Sequence, residues 1–335
     1  MYTVDVIIPT YKPNQEFLKL LELLSNQSVG LRHIIIMNTE EKYFDRMIFG
    51  SDFLKKYANC KVYHHSKREF DHGATRNKGV AHSDADYFVM MTQDAMPADG
   101  SLLENLLKPL LAKKAAVSYA RQLPKEDCNP IERFTRAFNY PDKSCIKGEK
   151  DRERLGIKTY FCSDVCAAYD RKVFDQMGGF VNRAIFNEDM VFAAKAAKHG
   201  YMIAYCADAR VYHSHNYSLR QQFHRNFDLG VSQADHPEVF EGLAAEGEGL
   251  RMVKQTMAHL WQHGHKRLIP LLIAFSAAKW LGFRYGRNYG RLSCKTILKC
   301  TASPMYWKRR EGHENRVPKT DTALGNGRNP NKEGV

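Results

Sequence analysis

Apolar residues in this chain come in short unbroken runs divided by stretches of helical spacing. Val4 to Pro9 is apolar and β-branched and runs into the loop Pro9-Thr10-Tyr11-Lys12-Pro13, so it predicts a buried strand. Leu18, Leu21, Leu23 and Leu24 predict a helix, His33 to Met37 and the weaker Lys61 to His64 two further strands, and Thr75 to Ala81 a helix before the strand Tyr87 to Met91. Strands without polar alternation, separated by helices, are buried on both faces, which is the pattern of an α/β fold with a mostly parallel central sheet. Ligands of such open sheets gather at the carboxyl ends of the strands, and Thr10, Asn38 and Thr92-Gln93-Asp94 all fall there.

Further along, Ser163 to Tyr169 predicts a strand and Gly178-Gly179-Phe180 a turn. Asn187-Glu188-Asp189 opens a helix over Met190 to His199, with Asn187 as its N-cap and Gly200 as its stop. Ala204 to Tyr212 is a strand that delivers His213 and His215 at its end. Residues 231–300 are predicted helical. Their apolar patch, Leu268 to Phe275 followed by Trp280, Phe283 and Tyr285, is interrupted by Pro270 and Lys279, so it predicts a helix lying in a membrane interface or packed in a core rather than one spanning a bilayer. From Ser303 onward the polar, Gly/Asn/Lys-rich composition predicts a chain without order.

Several of these residues suit particular chemistry. Asp94 at a strand end can hold Mg²⁺ or Mn²⁺ against a diphosphate, since hard cations take oxygen ligands and share them with phosphates. Alone it reads equally as a loop acid capping the turn before Pro97. Glu188-Asp189 lies in a first helical turn, where the helix dipole favours the ionised carboxylate that a general base requires, although two acids there also simply complement the terminus. His213 and His215 offer imidazoles to a divalent metal or pack as a surface pair. Asp71-His72-Gly73-Ala74-Thr75-Arg76-Asn77 places an arginine near a helix start, where it meets a base or a phosphate.

Charge narrows the partners. The net charge of +13 resides in residues 251–335, which hold 17 Lys and Arg against 4 Asp and Glu, whereas residues 1–250 carry 33 of each sign. A basic, aromatic-rich C-terminal segment fits an anionic membrane surface better than nucleic acid, so no nucleic-acid partner is expected. The eight cysteines contain no CxxC pair, which excludes a zinc ribbon and fits reduced thiols. Val4, Val6, Ile7 and Ile8 follow Met1 with no basic leader before them, so a cytoplasmic location is expected, peripheral at the inner face of the cell membrane.

The order Val6-Ile7-Ile8-Pro9-Thr10-Tyr11, Arg76-Asn77-Lys78-Gly79, Gln93-Asp94-Ala95-Met96-Pro97 and Asn187-Glu188-Asp189 resembles glycosyltransferase family 2, over about residues 3–230. Phe70 to Asn77, Thr92 to Ala95 and Val211 to Leu219 look like the rhamnosyltransferases of bacterial surface polysaccharide (O-antigen or capsule) assembly. The resemblance implies a GT-A fold, Rossmann-like, with helices on both faces of its sheet. It implies an inverting transfer in which Asp189 is the base and Glu188 contacts the acceptor. A divalent metal would sit at Asp94 with His213 or His215 as further ligand, and Pro9, Thr10, Tyr11, Asn38, Asp71, Arg76, Gln93 and Asp94 would line the nucleotide-sugar pocket. The implied donor is dTDP-β-L-rhamnose and the implied acceptor a saccharide on a polyprenyl diphosphate; a UDP-sugar hexosyl or N-acetylhexosaminyl transferase, or a catalytically silent carbohydrate binder, would share the fold.

The chain departs from the family pattern in three places. The usual Asp-x-Asp reads Thr92-Gln93-Asp94, the acidic pair after the second strand reads Asn38-Thr39, and in place of the processive signature Gln-x-x-Arg-Trp stands Gln221-Gln222-Phe223-His224-Arg225-Asn226. The last, with no expected spanning helix, implies one sugar added per encounter. Pro9 to Asn14 contains no glycine, which excludes the triphosphate cradle of a nucleotidyltransferase. The expected organisation is a catalytic domain over 1–230, a helical, membrane-associating segment over 231–302 and an unordered basic tail over 303–335.

Overall fold

The computed structural model describes residues 2–50, 52–243 and 246–314. Its sheet has nine strands: β1 (Val4–Tyr11), β2 (His33–Thr39), β3 (Cys60–His65), β4 (Tyr87–Met91), β5 (Met96–Pro97), β6 (Val117–Leu123), β7 (Cys145–Lys147), β8 (Cys166–Asp170) and β9 (Ile203–Tyr212). They run in the order β3-β2-β1-β4-β8-β6-β9-β5, with β7 also on β9. Pairing is parallel from β3 to β4 and between β6 and β9, while β8, β5 and β7 run against their neighbours. The mostly parallel α/β sheet read from the apolar runs is therefore the sheet that forms. The strand expected over Ser163 to Tyr169 begins only at Cys166, and residues 163–165 form the loop leading into it.

The longer helices that matter for the site are α1 (Gln15–Ser25), α2 (His72–Ala81), α3 (Leu102–Leu111), α4 (Pro130–Asn139), α5 (Glu188–Lys198), α6 (Leu219–Asp235), α7 (Glu246–Gln262), α8 (Ile269–Arg287), α9 (Cys294–Cys300) and α10 (Pro304–Glu314). Strand side chains alternate between faces. Val6 and Ile8 pack against Leu20, Leu21 and Leu24 of α1 and the leucines of α3, and Ile7 packs on the other face with Val80, Phe88 and Phe192. Helices thus cover both faces, and the carboxyl edge is left for polar groups.

Register explains which groups reach that edge. Thr10, Asn38 and His64 stand in one row across β1, β2 and β3. The Thr10 hydroxyl donates to Asn38 Oδ1 at 3.1 Å, and the Asn38 amide donates to His64 Nδ1 at 2.9 Å. The row is internally satisfied, so it stiffens the edge.

The C-terminal helices are held by glycine. A Cβ built on Gly282 would lie 2.2 Å from the Phe223 carbonyl oxygen, one on Gly286 2.0 Å from that of Phe227, and one on Gly230 2.4 Å from that of Phe283. Only glycine lets the backbones of α6 and α8 approach this closely, as in small-residue helix pairs generally. From Gly282–Phe223 to Gly286–Phe227 both members advance by four residues, so the two helices run side by side in parallel. Gly286→Val is expected to wedge them apart and cost about 1–3 kcal/mol, read as a lowered thermal midpoint.

Two sequence expectations are corrected here. Pro270 lies in the first turn of α8, where its missing N–H costs nothing, so the apolar run is one continuous helix rather than a broken one. The 22-residue stretch Lys266–Arg287 contains an 18-residue window of mean hydropathy 1.2 and is long and apolar enough to cross a membrane by length and composition. The tail expected to be unordered from residue 303 begins instead with α10, because Tyr306 and Trp307 bury themselves among Ile185, Phe227, Val231 and Ile297. The rest of that tail, 315–335, lies outside the described residues.

Candidate active site

Two clusters of polar side chains meet at the carboxyl edge. The first is carried by the β4 end and the β9 end. Asp94 Oδ2 lies 3.2 Å from His215 Nε2 and 3.5 Å from His213 Nε2, and the two Nε2 atoms are 3.1 Å apart. Burial raises the Asp94 carboxyl, but the His213 and His215 imidazoles beside it outweigh that and hold the group well below the usual carboxylate range. Burial also pushes the His213 imidazole down, towards the neutral form that ligates.

These three atoms fit a divalent cation. Neighbouring ligands of an octahedral ion bound at about 2.1 Å lie about 3 Å apart, which matches the edges of this triangle. One carboxylate and two imidazoles form a facial set of the kind first-row metals accept, with further positions left for substrate oxygens. All three candidate ligands named from the sequence are therefore together.

The second cluster surrounds the first turn of α5. Asp189 Oδ2 accepts the Asp164 amide at 3.0 Å and Oδ1 accepts the Met190 amide at 2.7 Å. Its carboxyl is pushed well above the ordinary range by burial, then by Glu188 and Asp164. Arg76 Nε lies 3.0 Å from Asp164 Oδ2, and Arg76 Nη1 lies 3.0 Å from Glu188 Oε1. Burial raises Glu188, but Arg76 and His72 outweigh it and keep that carboxyl low. Burial holds Asp164 up to about 6 against the pull of Arg76. A single guanidinium thus ties down two of three crowded carboxylates and leaves Asp189 as the one on which the strain falls.

Several expected positions have different surroundings. Arg76 and Glu188 are 6% and 5% exposed and face each other. Asn187 takes a left-handed backbone (φ 62°) and makes no capping bond; its amide donates to Ser232 on α6, so it anchors the turn to the neighbouring helix. Gln93 accepts the Tyr11 N–H at 2.9 Å and donates to the Tyr11 carbonyl at 3.0 Å, clamping the end of β1 to the end of β4. Asn38 is fully buried in the row with Thr10, and Pro9 sits one place earlier on β1 opposite Met37. Tyr11 is 38% exposed, edge-on to Tyr43 and approached by Lys12 and Lys67. Asp71 caps α2 through Ala74 N–H, and its other oxygen lies 3.6 Å from Arg309 of α10.

Four residues of the site went unread. Asp164 is a lone acid in the apolar run Phe161 to Cys166, a signal that could have marked it. Gln122 carries no sequence signal, and Tyr217 lies within the stretch Val211 to Leu219 with no role read for it. Arg225 joins the two clusters: its guanidinium lies 4.7 Å from the ring of Tyr217 and 5.3 Å from that of Phe186, with no hydrogen bond or ion pair among the described residues. Tyr217 in turn lies 5.0 Å from the His215 ring. Gln222 and Arg225 keep the Gln-x-x-Arg spacing whose final tryptophan is Asn226 here.

A mostly parallel sheet with an Asp–His–His cluster and a group of crowded carboxylates at its carboxyl edge fits the GT-A class of sugar-transferring enzymes. The glycosyl transferase family 2 model matches residues 5–178, and the chain belongs to that family. It is 37% identical over 306 residues to the O-antigen chain rhamnosyltransferase RfbN of Salmonella typhimurium, covering 91% of this chain and 96% of that one. It is also 37% identical over 313 residues to the O-antigen chain rhamnosyltransferase WbaN of Salmonella anatum, covering 92% and 96%. Among solved structures it resembles the mannosyltransferase PcManGT of Pyrobaculum calidifontis, determined with GDP-Man and Mn²⁺, with a TM-score of 0.53 and 14% identity over 95% of this chain and 88% of that one. At that identity the likeness concerns the fold alone.

Proposed function

We propose that this protein is an inverting rhamnosyltransferase of bacterial surface polysaccharide assembly, using dTDP-β-L-rhamnose and adding one α-linked residue to a carrier-linked saccharide. The observation that carries the reading is the Asp189 carboxylate, held by two backbone amides in the first turn of α5, together with the Asp94–His213–His215 triad at the ends of β4 and β9. The full-length similarity to two O-antigen chain rhamnosyltransferases supports the sugar. The acceptor hydroxyl gives its proton to Asp189 as its oxygen bonds the anomeric carbon, and the bond to the nucleoside diphosphate breaks on the opposite face. Arg225, without a carboxylate partner among the described residues, is placed to receive the negative charge of the departing diphosphate. Glu188 acts through Arg76, positioning the turn that carries the base rather than gripping the acceptor.

Asp94, His213 and His215 would hold the divalent cation, which when bound supplies Lewis-acid neutralisation of the diphosphate. Two imidazole donors favour Mn²⁺ over Mg²⁺, because Mg²⁺ prefers an all-oxygen shell and keeps its waters. Thermal-shift titration with dTDP, UDP and GDP, each with Mn²⁺ or Mg²⁺, tests both assignments. The largest stabilisation is expected for dTDP with Mn²⁺; a UDP preference would remove rhamnose, and indifference to metal would remove the triad's role.

The protein is proposed to work at the cytoplasmic face of the membrane, docked through α8. Its face carries exposed Ile273, Trp280, Leu281 and Tyr285, near Arg284, Arg287 and Arg291. Spanning is disfavoured because α6 runs alongside and would bring Gln222, Asn226 and Asp228 into hydrocarbon. An apolar face with basic flanks instead suits the interface of an anionic leaflet. Ile273→Glu with Trp280→Glu is expected to abolish sedimentation with phosphatidylglycerol vesicles and to leave dTDP binding unchanged; full retention on the vesicles would place the docking face elsewhere.

A further inference from the structure

His213 is met on both ring nitrogens: Nε2 faces Asp94 and His215, and Nδ1 lies 3.0 Å from Gln122 Oε1. A neutral imidazole carries a single proton, so the group opposite Nδ1 decides what Nε2 offers. That group is a side-chain amide, whose two ends look alike in shape and differ only in chemistry.

The orientation of the amide is decided by its other neighbours. Arg136 on α4 directs Nη1 at the same Oε1, and its Nε pairs with Glu132 at 2.7 Å. A guanidinium has donors only, so it can meet only the oxygen of the amide. At the other end, Gln122 Nε2 finds two oxygens, the Tyr140 hydroxyl at 2.6 Å and Ser163 Oγ at 3.0 Å. Gln122 is 3% exposed, so a reversed amide would bury donor against donor. With Oε1 fixed towards His213, Nδ1 must bring the hydrogen, and Nε2 is left as a lone pair.

We infer that Gln122, oriented by Arg136, is a positioning residue that locks His213 in its Nδ1–H tautomer and aims the Nε2 lone pair into the Asp94–His215 cluster. Without this lock the proton would sit on Nε2 and donate to Asp94, the arrangement that satisfies the pair but closes the position to a cation. The 3.1 Å contact between the two Nε2 atoms is then satisfied by a proton on His215, the more exposed of the two. His215 is the member that must change when a cation arrives, and His213 is ready. Ligating histidines generally owe their orientation to such an outer partner.

The inference builds on the metal role proposed for the triad, but its test reads the tautomer directly. In the full chain labelled with ¹⁵N-histidine, long-range ¹H–¹⁵N correlation at pH 8 without metal should show His213 protonated on Nδ1, with the signal assigned by its loss in His213→Gln. Gln122→Glu keeps an acceptor facing Nδ1 and should retain both the tautomer and the Mn²⁺ affinity to within a few-fold. Gln122→Met removes the acceptor and should move the proton to Nε2 and weaken Mn²⁺ by about 10- to 100-fold by calorimetry. Arg136→Met, which frees the amide to turn, should weaken it in the same direction and serves if Gln122→Met does not fold. An Nε2–H signal in the unsubstituted protein, or an unchanged tautomer in Gln122→Met, would overturn the inference. A protein that shows the Nδ1–H form yet binds no Mn²⁺ would uphold the lock and remove the metal role instead.

Discussion

Asp189→Asn is expected to lower kcat by about 10³- to 10⁴-fold while leaving the affinity for dTDP unchanged, as measured by transfer assays beside nucleotide titration. The size follows from what a positioned base contributes to proton transfer. Donor affinity should hold because the Asp189 carboxylate meets the amides of Asp164 and Met190 and, among the described residues, no ligand of the triad. The same residue sets the pH dependence. Its carboxyl is raised by burial first and then by Glu188 and Asp164, and only the ionised form accepts a proton. The rate should therefore climb with pH through a value well above that of an ordinary aspartate, about 4, and the climb should vanish in Asp189→Asn. The stability linkage runs the other way. A group whose folded pKa is raised favours the folded state below its unfolded pKa, and that contribution is lost as pH rises through the folded value. An ionised Asp189 would thus be a destabilising group that the proposed function retains. Equal turnover by Asp189→Asn would move the base to another residue.

Asp94→Ala is expected to remove the Mn²⁺-dependent part of dTDP binding and to lower kcat/KM by about 10²- to 10³-fold, the scale of charge stabilisation by a metal at a leaving group. Asp94 is the only carboxylate of the triad, so its loss leaves two imidazoles and no anionic ligand to face a cation. The variant should fold, since Asp94 is partly exposed and its ion-pair partners are the two histidines. Calorimetric titration with Mn²⁺, then dTDP with and without Mn²⁺, separates the two effects. Wild-type Mn²⁺ affinity in the variant would show that the cation binds elsewhere.

The hydrophobic pattern located β1, β2, β4 and β9 within a residue or two, because strands buried on both faces must be apolar throughout. It located Asp94, Asp189, His213 and His215 as well, because each directly follows such a strand or opens the helix marked by Gly200. Their pairing was not legible. Nothing in the order of residues shows that Arg76 spends its charge on Asp164 and Glu188, or that Gln93 clamps Tyr11. Such contacts join positions tens of residues apart, and only packing selects among the partners available.

The C-terminal half shows the same division. Its composition alone determined a basic, apolar-patched helical segment, since charge and hydropathy add along the chain whatever the fold. Whether α8 was one helix or two depended on where Pro270 fell relative to its first turn, and the ordering of α10 depended on a hollow beside Ile185 and Phe227 that accepts Trp307. Sequence by itself determined the periodicities, the strand-end acids and the charge of each segment, which are local quantities. The tertiary structure decided which carboxylate stays free, which imidazole nitrogen faces the cluster and which helix face meets solvent, because each depends on neighbours that are distant in sequence and near only in space.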